Sequence, residues 1–367
     1  MSEPAPFVPP PYPYDRLDEL QAIAAALPGG CVDLSIGTPC DPPPPEVIAA
    51  LAASGTERGY PPSIGSPAFR EAAAGWLERR LGVTVDPATE LGACLGTKEL
   101  VAGLPQWLKL RDPSRDTVLY PAVSYPTYAM GATLAQCRAV AYDDLDDITD
   151  ADAERALCVW VNSPGNPTGA LVDLGAAARW GRARRVPVLS DECYAEFTWD
   201  GPPRTILEHG LDGVLAVHSL SKRSNLAGVR AGFYAGDVAL VHYLKELRKH
   251  AGFLPPGPVQ AASAVAYRDD VHVDAQRERY RRRLTRLRQL LADGFDIDAP
   301  FPAGAFYLWA PAPGGDAWGL AKRLASDAGV LCSPGEFYGP GGAEHVRLAV
   351  VQPDDRLDLV ASRVGLA

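Results

Sequence analysis

The 367-residue chain is short of what several classes of protein need. It has no basic excess: 35 Lys and Arg stand against 45 Asp and Glu, a formal charge of −10. That argues against a nucleic-acid or anionic-membrane partner, since both require basic surface. The seven cysteines (Cys31, Cys40, Cys94, Cys137, Cys158, Cys193 and Cys332) are odd in number, scattered and never spaced C-x-x-C. This is a reduced pattern with neither a disulfide framework nor a zinc motif. The six histidines form no H-x-H or H-E-x-x-H group, so no metal site is expected. No apolar run reaches membrane-spanning length, and the N-terminus shows no basic segment followed by an apolar stretch. A cytoplasmic protein without membrane contact is the expectation. No G-x-G-x-x-G follows the first strand, which counts against dinucleotide chemistry, and no internal repeat is visible.

What is present is an ordinary globular composition, 47% hydrophobic and 22% charged, long enough for one large domain and one smaller one. The stretch PAPFVPPPYPYD (4–15) reads as an extended arm. Residues 16–27 read as helix, and CVDLSIGTP (31–39) as a short strand entering a turn. From about 45 to 255, helical stretches such as FREAAAGWLERRL and ELVAGLPQWLKL alternate with short apolar runs. The runs are TVLYP (117–121), ALCVWVNSP (156–164), VPVLSD (186–191), VLAVHS (214–219) and VRAGFYAG (229–236). They are continuously rather than alternately apolar, as strands buried on both faces are. The prediction is an α/β protein whose mostly parallel central sheet is sandwiched by helices. From about 260 the pattern becomes α+β, with strands FYLWAP and HVRLAVV and helices near 316–328 and 353–363. The basic run ERYRRRLTRLR (278–288) reads as the solvated face of a long helix, with Tyr280, Leu284, Leu287 and Leu291 as its apolar stripe. The domain expectation is an arm over 1–15, a large domain over 45–258, and a smaller one built from 16–44 and 259–367.

Polar clusters stand at the carboxyl ends of three runs: SPGNPTG, SDECY and SLSK. Ligands of open parallel sheets bind there, so three such clusters indicate one shared site. Lys222 is the odd member: a lone amine in a Ser/Gly-rich turn, with no adjacent carboxylate to keep it protonated.

Asn166 and Gly169 in GNPTG, Asp191 in DECY, and Lys222 and Arg230 in SKRSNLAGVR together resemble the signature of the fold-type-I, pyridoxal-phosphate-dependent class I/II aminotransferases. Each piece alone is weak, and Asp191 alone would read as a turn aspartate; their order along nearly the whole chain carries the resemblance. It implies pyridoxal 5′-phosphate as cofactor, with Lys222 as its Schiff-base lysine and Asp191 as the partner of its ring nitrogen. By the same resemblance, Tyr194 and Asn166 hydrogen-bond the cofactor's phenolic oxygen, and Tyr125 stacks on its ring. Ser219 and Arg230 hold the phosphate, with Gly96, Thr97 and Lys98, where a strand hands over to a helix. Tyr60 matches a tyrosine that reaches the phosphate of a neighbouring subunit, implying a homodimer with shared sites. Arg347 matches the clamp for the substrate α-carboxylate, with Gly37 and Asn166 beside the substrate. The flanking Val346 and Leu348 leave Arg347 pointing off the apolar face of its strand.

Longer stretches, SDECYAEFTWDG, VHSLSKRSNLAGVRAGFYAGD and SPGEFYGPGG, look like the actinobacterial succinyldiaminopimelate aminotransferases. That implies ping-pong transfer of an amino group from glutamate to N-succinyl-2-amino-6-oxopimelate, with Lys98 and Arg223 as candidates for reading its distal groups. The chain departs from that pattern at SPGNPTG, at PYPYD and at LAVVQPDD just beyond Arg347. A paralogous aminotransferase on another amino acid, or a lyase, decarboxylase or oxidase on the same fold, therefore stays open.

Overall fold

A computed structural model describes residues 6–366. The first five residues of the expected arm and the last of the expected C-terminal domain lie outside it. Among the described residues, the strands form three sheets. Strand β1 (Val32–Asp33) precedes the strands of a seven-stranded sheet: β2 (Leu91–Cys94), β3 (Thr117–Pro121), β4 (Arg138–Tyr142), β5 (Ala156–Asn162), β6 (Val188–Asp191), β7 (Val214–Ser219) and β8 (Gly232–Gly236). Their spatial order is β2-β8-β7-β6-β5-β3-β4. Only β8 runs antiparallel to its neighbours, so the sheet is mostly parallel, as the sequence implied.

Both faces are covered, which explains the continuous apolar runs. Val188 and Val214 face a cluster with Trp76, Leu77, Ala177 and Trp180. Their chain neighbours Leu189 and Leu215 face the opposite cluster with Leu100, Leu104, Tyr128 and Leu244. Strand β4 was not foreseen: of RAVAY only Tyr142 is buried, so this edge strand lacks an apolar run. The expected strand over 31–39 shortens to β1, because only Val32 and Asp33 find a partner, in β10 (Val330–Leu331).

The remaining strands, β9 (Tyr307–Pro311), β11 (Ser333–Pro334) and β12 (His345–Ala349), make an antiparallel sheet with β12 in the middle. Its core includes Leu17, Leu20 and Ala24 from the chain start, together with Tyr280, Leu284, Leu287 and Leu291 of helix Val271–Phe295. Two corrections concern this region. Arg283 on that helix is not solvated: it is buried, bonding Asp41 at 2.6 Å and Asp354 at 2.6 Å. Helix Gly257–Arg268, cut by the expected boundary at 258, packs Ala262, Ala266 and Tyr267 onto the seven-stranded sheet's core instead.

Candidate active site

In the parallel register Asn162 pairs with Asp191 and Asp191 with Val217, so the carboxyl ends of β5, β6 and β7 finish side by side. The chain leaves each strand into a polar turn, and the three turns border a cavity of about 430 Å³. Asp191 and Lys222 both line it. Asp191 is buried; its Oδ2 accepts a bond from the Tyr128 hydroxyl at 2.9 Å and its Oδ1 one from the Cys193 N–H at 3.2 Å. Burial pushes its pKa above the ordinary carboxylate value against those two bonds. Lys222 sits one turn past β7, in Leu220–Arg223, and its ammonium donates to the Gly37 carbonyl. Burial lowers its pKa to about 8, assisted by the charges of Arg347 and Arg230 and opposed by Cys193 and Asp191.

An anion site lies at one end. Helix Thr97–Arg111 starts after Gly96, whose φ of 76° is one that glycine adopts freely. A Cβ there would fall 2.4 Å from an Arg230 guanidinium nitrogen, so the missing side chain is what lets Arg230 lie across the helix start. Thr97 and Ser219 line the cavity beside it; Thr97 Oγ1 accepts from Cys193 Sγ at 3.3 Å, and Ser219 Oγ accepts from the Ser221 N–H at 3.0 Å. Unpaired N–H groups, the helix dipole and a guanidinium thus converge where a dianion would be stabilised.

At the other end stands Arg347, in the central strand β12 and 2% exposed rather than at a strand edge. Its Nη1 donates to Asn166 Oδ1 at 2.7 Å and its Nη2 to the Tyr14 hydroxyl at 3.3 Å and to the Ser35 carbonyl. Its buried Nε has no hydrogen-bond partner among the described residues. The guanidinium lies 4.3 Å from the Tyr307 ring centroid and 4.8 Å from that of Tyr338. Asn166 is fixed in turn by its N–H, which donates to Asn162 Oδ1 at 2.8 Å. Among the described residues, Lys222, Asp191, Arg230 and Arg347 make no ion pair. These four, and Lys98 with them, line one cavity with no ion pair among the described residues, and a bound molecule carrying both signs would supply their counter-charges.

The structure brings Gly37, Thr97, Lys98, Tyr125, Asn166, Asp191, Tyr194, Ser219, Lys222, Arg230 and Arg347 to this cavity, with Gly96 directly beneath Arg230. Tyr60 is not brought there: it is 97% exposed on the chain's outside. Arg223 is a correction, because it neither reaches the cavity nor meets solvent. It is buried against Glu196 and Asp270 at 3.2 Å each, with Ala266 and Asp269 carbonyls satisfying the rest of its fork. LAVVQPDD is also turned away from the cavity, since Gln352 bonds the Asp33 carbonyl and Asp354 bonds Arg283. The departure PYPYD is the one that counts, because Tyr12 and Tyr14 line the cavity and the Lys98 ammonium lies 5.1 Å from the Tyr12 ring. Sequence reasoning missed Tyr128 and Tyr307. Tyr128 lies in the same SYPTY stretch as Tyr125, just inside the helix Thr127–Leu134 that follows it, and the two rings meet edge-on at 5.9 Å; Tyr307 carried no signal.

The chain belongs to the class I and II aminotransferases, whose family model matches residues 30–364. Members of that family depend on pyridoxal phosphate. The chain is 44% identical to a 4-dedimethylamino-4-oxo-anhydrotetracycline transaminase of Streptomyces rimosus, covering 97% of this chain and 99% of that one. It is 43% identical to a probable aminotransferase of Mycobacterium tuberculosis, over 97% of this chain and 84% of the relative. The structure of a probable N-succinyldiaminopimelate aminotransferase from Thermus thermophilus superimposes with a TM-score of 0.84 at 30% identity, covering 96% of this chain and all (100%) of that one. The cavity fits the cofactor on its own chemistry: a buried carboxylate that makes no ion pair among the described residues, a lysine whose pKa burial lowers to about 8, and a glycine-floored anion site.

Proposed function

We propose that the chain is a glutamate-dependent aminotransferase acting in a ping-pong cycle, with N-succinyl-2-amino-6-oxopimelate as acceptor. Bound pyridoxal phosphate supplies an aldehyde that captures amines and a ring that accepts the electron pair released at the substrate Cα. Lys222 would hold that aldehyde through its Nζ and, when that amine is free, would take the substrate Cα proton on it. Asp191 keeps the ring nitrogen protonated, and Tyr194 and Asn166 hold the phenolic oxygen, with Tyr125 against the ring. Thr97, Ser219, Arg230 and the N–H groups at Gly96–Lys98 hold the phosphate. Arg347 and Asn166 orient the α-carboxylate beside Gly37, and Tyr60 completes the phosphate site of a second copy in a cytoplasmic homodimer.

The observation that carries this reading is one cavity lined by Asp191, Lys222, Arg230 and Arg347, none of which makes an ion pair among the described residues. Lys98 is the cation left over for a distal acid group of the acceptor. A second reading, transfer to a flat polycyclic ketone, is supported by the Streptomyces rimosus relative and by the tyrosines Tyr12, Tyr14 and Tyr125 on the cavity wall. An acceptor screen with glutamate as donor separates the two. Turnover with N-succinyl-2-amino-6-oxopimelate supports the first, turnover confined to polycyclic ketones the second. A failure of glutamate to yield 2-oxoglutarate with the isolated holoenzyme overturns both.

A further inference from the structure

Tyr307 opens β9 and is 1% exposed, and three of the residues singled out from sequence converge on it. Its hydroxyl lies 2.5 Å from the Tyr194 hydroxyl, and neither has another hydrogen-bond partner among the described residues. The Arg347 guanidinium stacks over its ring. A Cβ on Gly37 would lie 2.3 Å from its hydroxyl oxygen, so glycine at 37 is what leaves room for that hydroxyl.

We infer that Tyr307 is a positioning residue for amino transfer: its hydroxyl donates to the Tyr194 hydroxyl and so directs the single Tyr194 proton at the cofactor's phenolic oxygen, while its ring supports the Arg347 guanidinium. The inference rests on the role proposed above for Tyr194. A phenol has one proton to give. Were Tyr194 to donate it to Tyr307, nothing would remain for the cofactor, and the Tyr307 proton would have no acceptor in view. The opposite direction satisfies both groups. A hydroxyl that accepts a bond is also the stronger donor, and inside a protein such chains reinforce one another. Burial keeps both phenols protonated, pushing Tyr307 up to about 12 and raising Tyr194 well above the ordinary phenol value. One side chain thus touches both the residue facing the cofactor and the residue facing the substrate carboxylate.

Tyr307→Phe removes the hydroxyl and keeps the ring. The readout is the pH midpoint of the holoenzyme's visible absorption, which a merely structural role would not move. The midpoint should rise by about 0.4–1 pH unit, the shift that one neutral hydrogen bond carries. In a Tyr194→Phe background the same change should do nothing further, and KM for glutamate should stay within about twofold of the parent, since the ring remains. Tyr307→Leu, which removes the ring as well, should raise that KM. A wild-type midpoint in Tyr307→Phe, or an undiminished shift in the Tyr194→Phe background, overturns the inference while leaving the Tyr194 role standing. An unmoved midpoint in Tyr194→Phe alone overturns that role and the inference with it.

Discussion

Replacing Arg347 by lysine keeps the positive charge and removes the planar fork. The guanidinium is held by Asn166 Oδ1, the Tyr14 hydroxyl and the Ser35 carbonyl, with the Tyr307 and Tyr338 ring centroids 4.3 and 4.8 Å away, so its orientation is set before any ligand arrives. A substrate carboxylate docking there gains a pair of charge-assisted bonds, and lysine in the same space offers at best one. One such bond contributes about 1.5–3 kcal/mol, so binding should weaken roughly 10- to 150-fold. Because the carboxylate is gripped equally in the ground and transition states, the loss should fall on KM for glutamate with kcat changed little. Steady-state kinetics, with the dissociation constant of an unreactive dicarboxylate as a binding control, measure this directly. Arg347→Lys with KM within twofold of wild type refutes the reasoning, as does loss of the cofactor's visible band, which would place Arg347 in the cofactor site instead.

Asp191→Asn should retain the cofactor and lose activity by about two orders of magnitude or more, the scale of deleting one preorganised electrostatic partner; near-normal turnover contradicts its role. Gly96→Ala pushes a methyl against the Arg230 guanidinium and should weaken retention of pyridoxal phosphate on dialysis, whereas Thr97→Ala removes only one hydroxyl and should weaken it less. Equal retention in Gly96→Ala and the parent contradicts the anion site. Lys222 supplies a pH dependence with a definite sign. Its folded pKa, about 8, lies below the 10.5 of a free lysine, so folding favours the neutral amine, and the penalty for charging it grows as pH falls from 10.5 to about 8 and is complete below that. Capture of pyridoxal phosphate by the cofactor-free protein should accelerate as pH rises through about 8. Stopped-flow rates that stay flat across that value contradict this.

The sheet was readable because burial on both faces leaves strands such as Val188–Asp191 and Val214–Ser219 no choice but continuous apolar sequence. Asp191, Lys222 and Asn166 stood out because polar residues directly after such runs have few structural reasons to be there. Arg347 stood out because Val346 and Leu348 alternate around it. Residues whose partners are remote in sequence were illegible. Arg283 looks solvated until Asp41, 242 positions away, is folded against it. Arg223 looks exposed until Glu196 and Asp270 enclose it. Tyr307 is an aromatic in an apolar strand, and only the approach of Tyr194 and Gly37 marks it out.

Every role proposed for the cavity depends on the amine at position 222 carrying the cofactor. Borohydride reduction of the holoenzyme followed by peptide mass mapping tests it most directly. The mass of a reduced pyridoxyl phosphate should appear on the peptide containing Lys222 and be absent from the Lys222→Ala protein. The same mass on any other lysine, or a colour that survives in Lys222→Ala after reduction and dialysis, would contradict it.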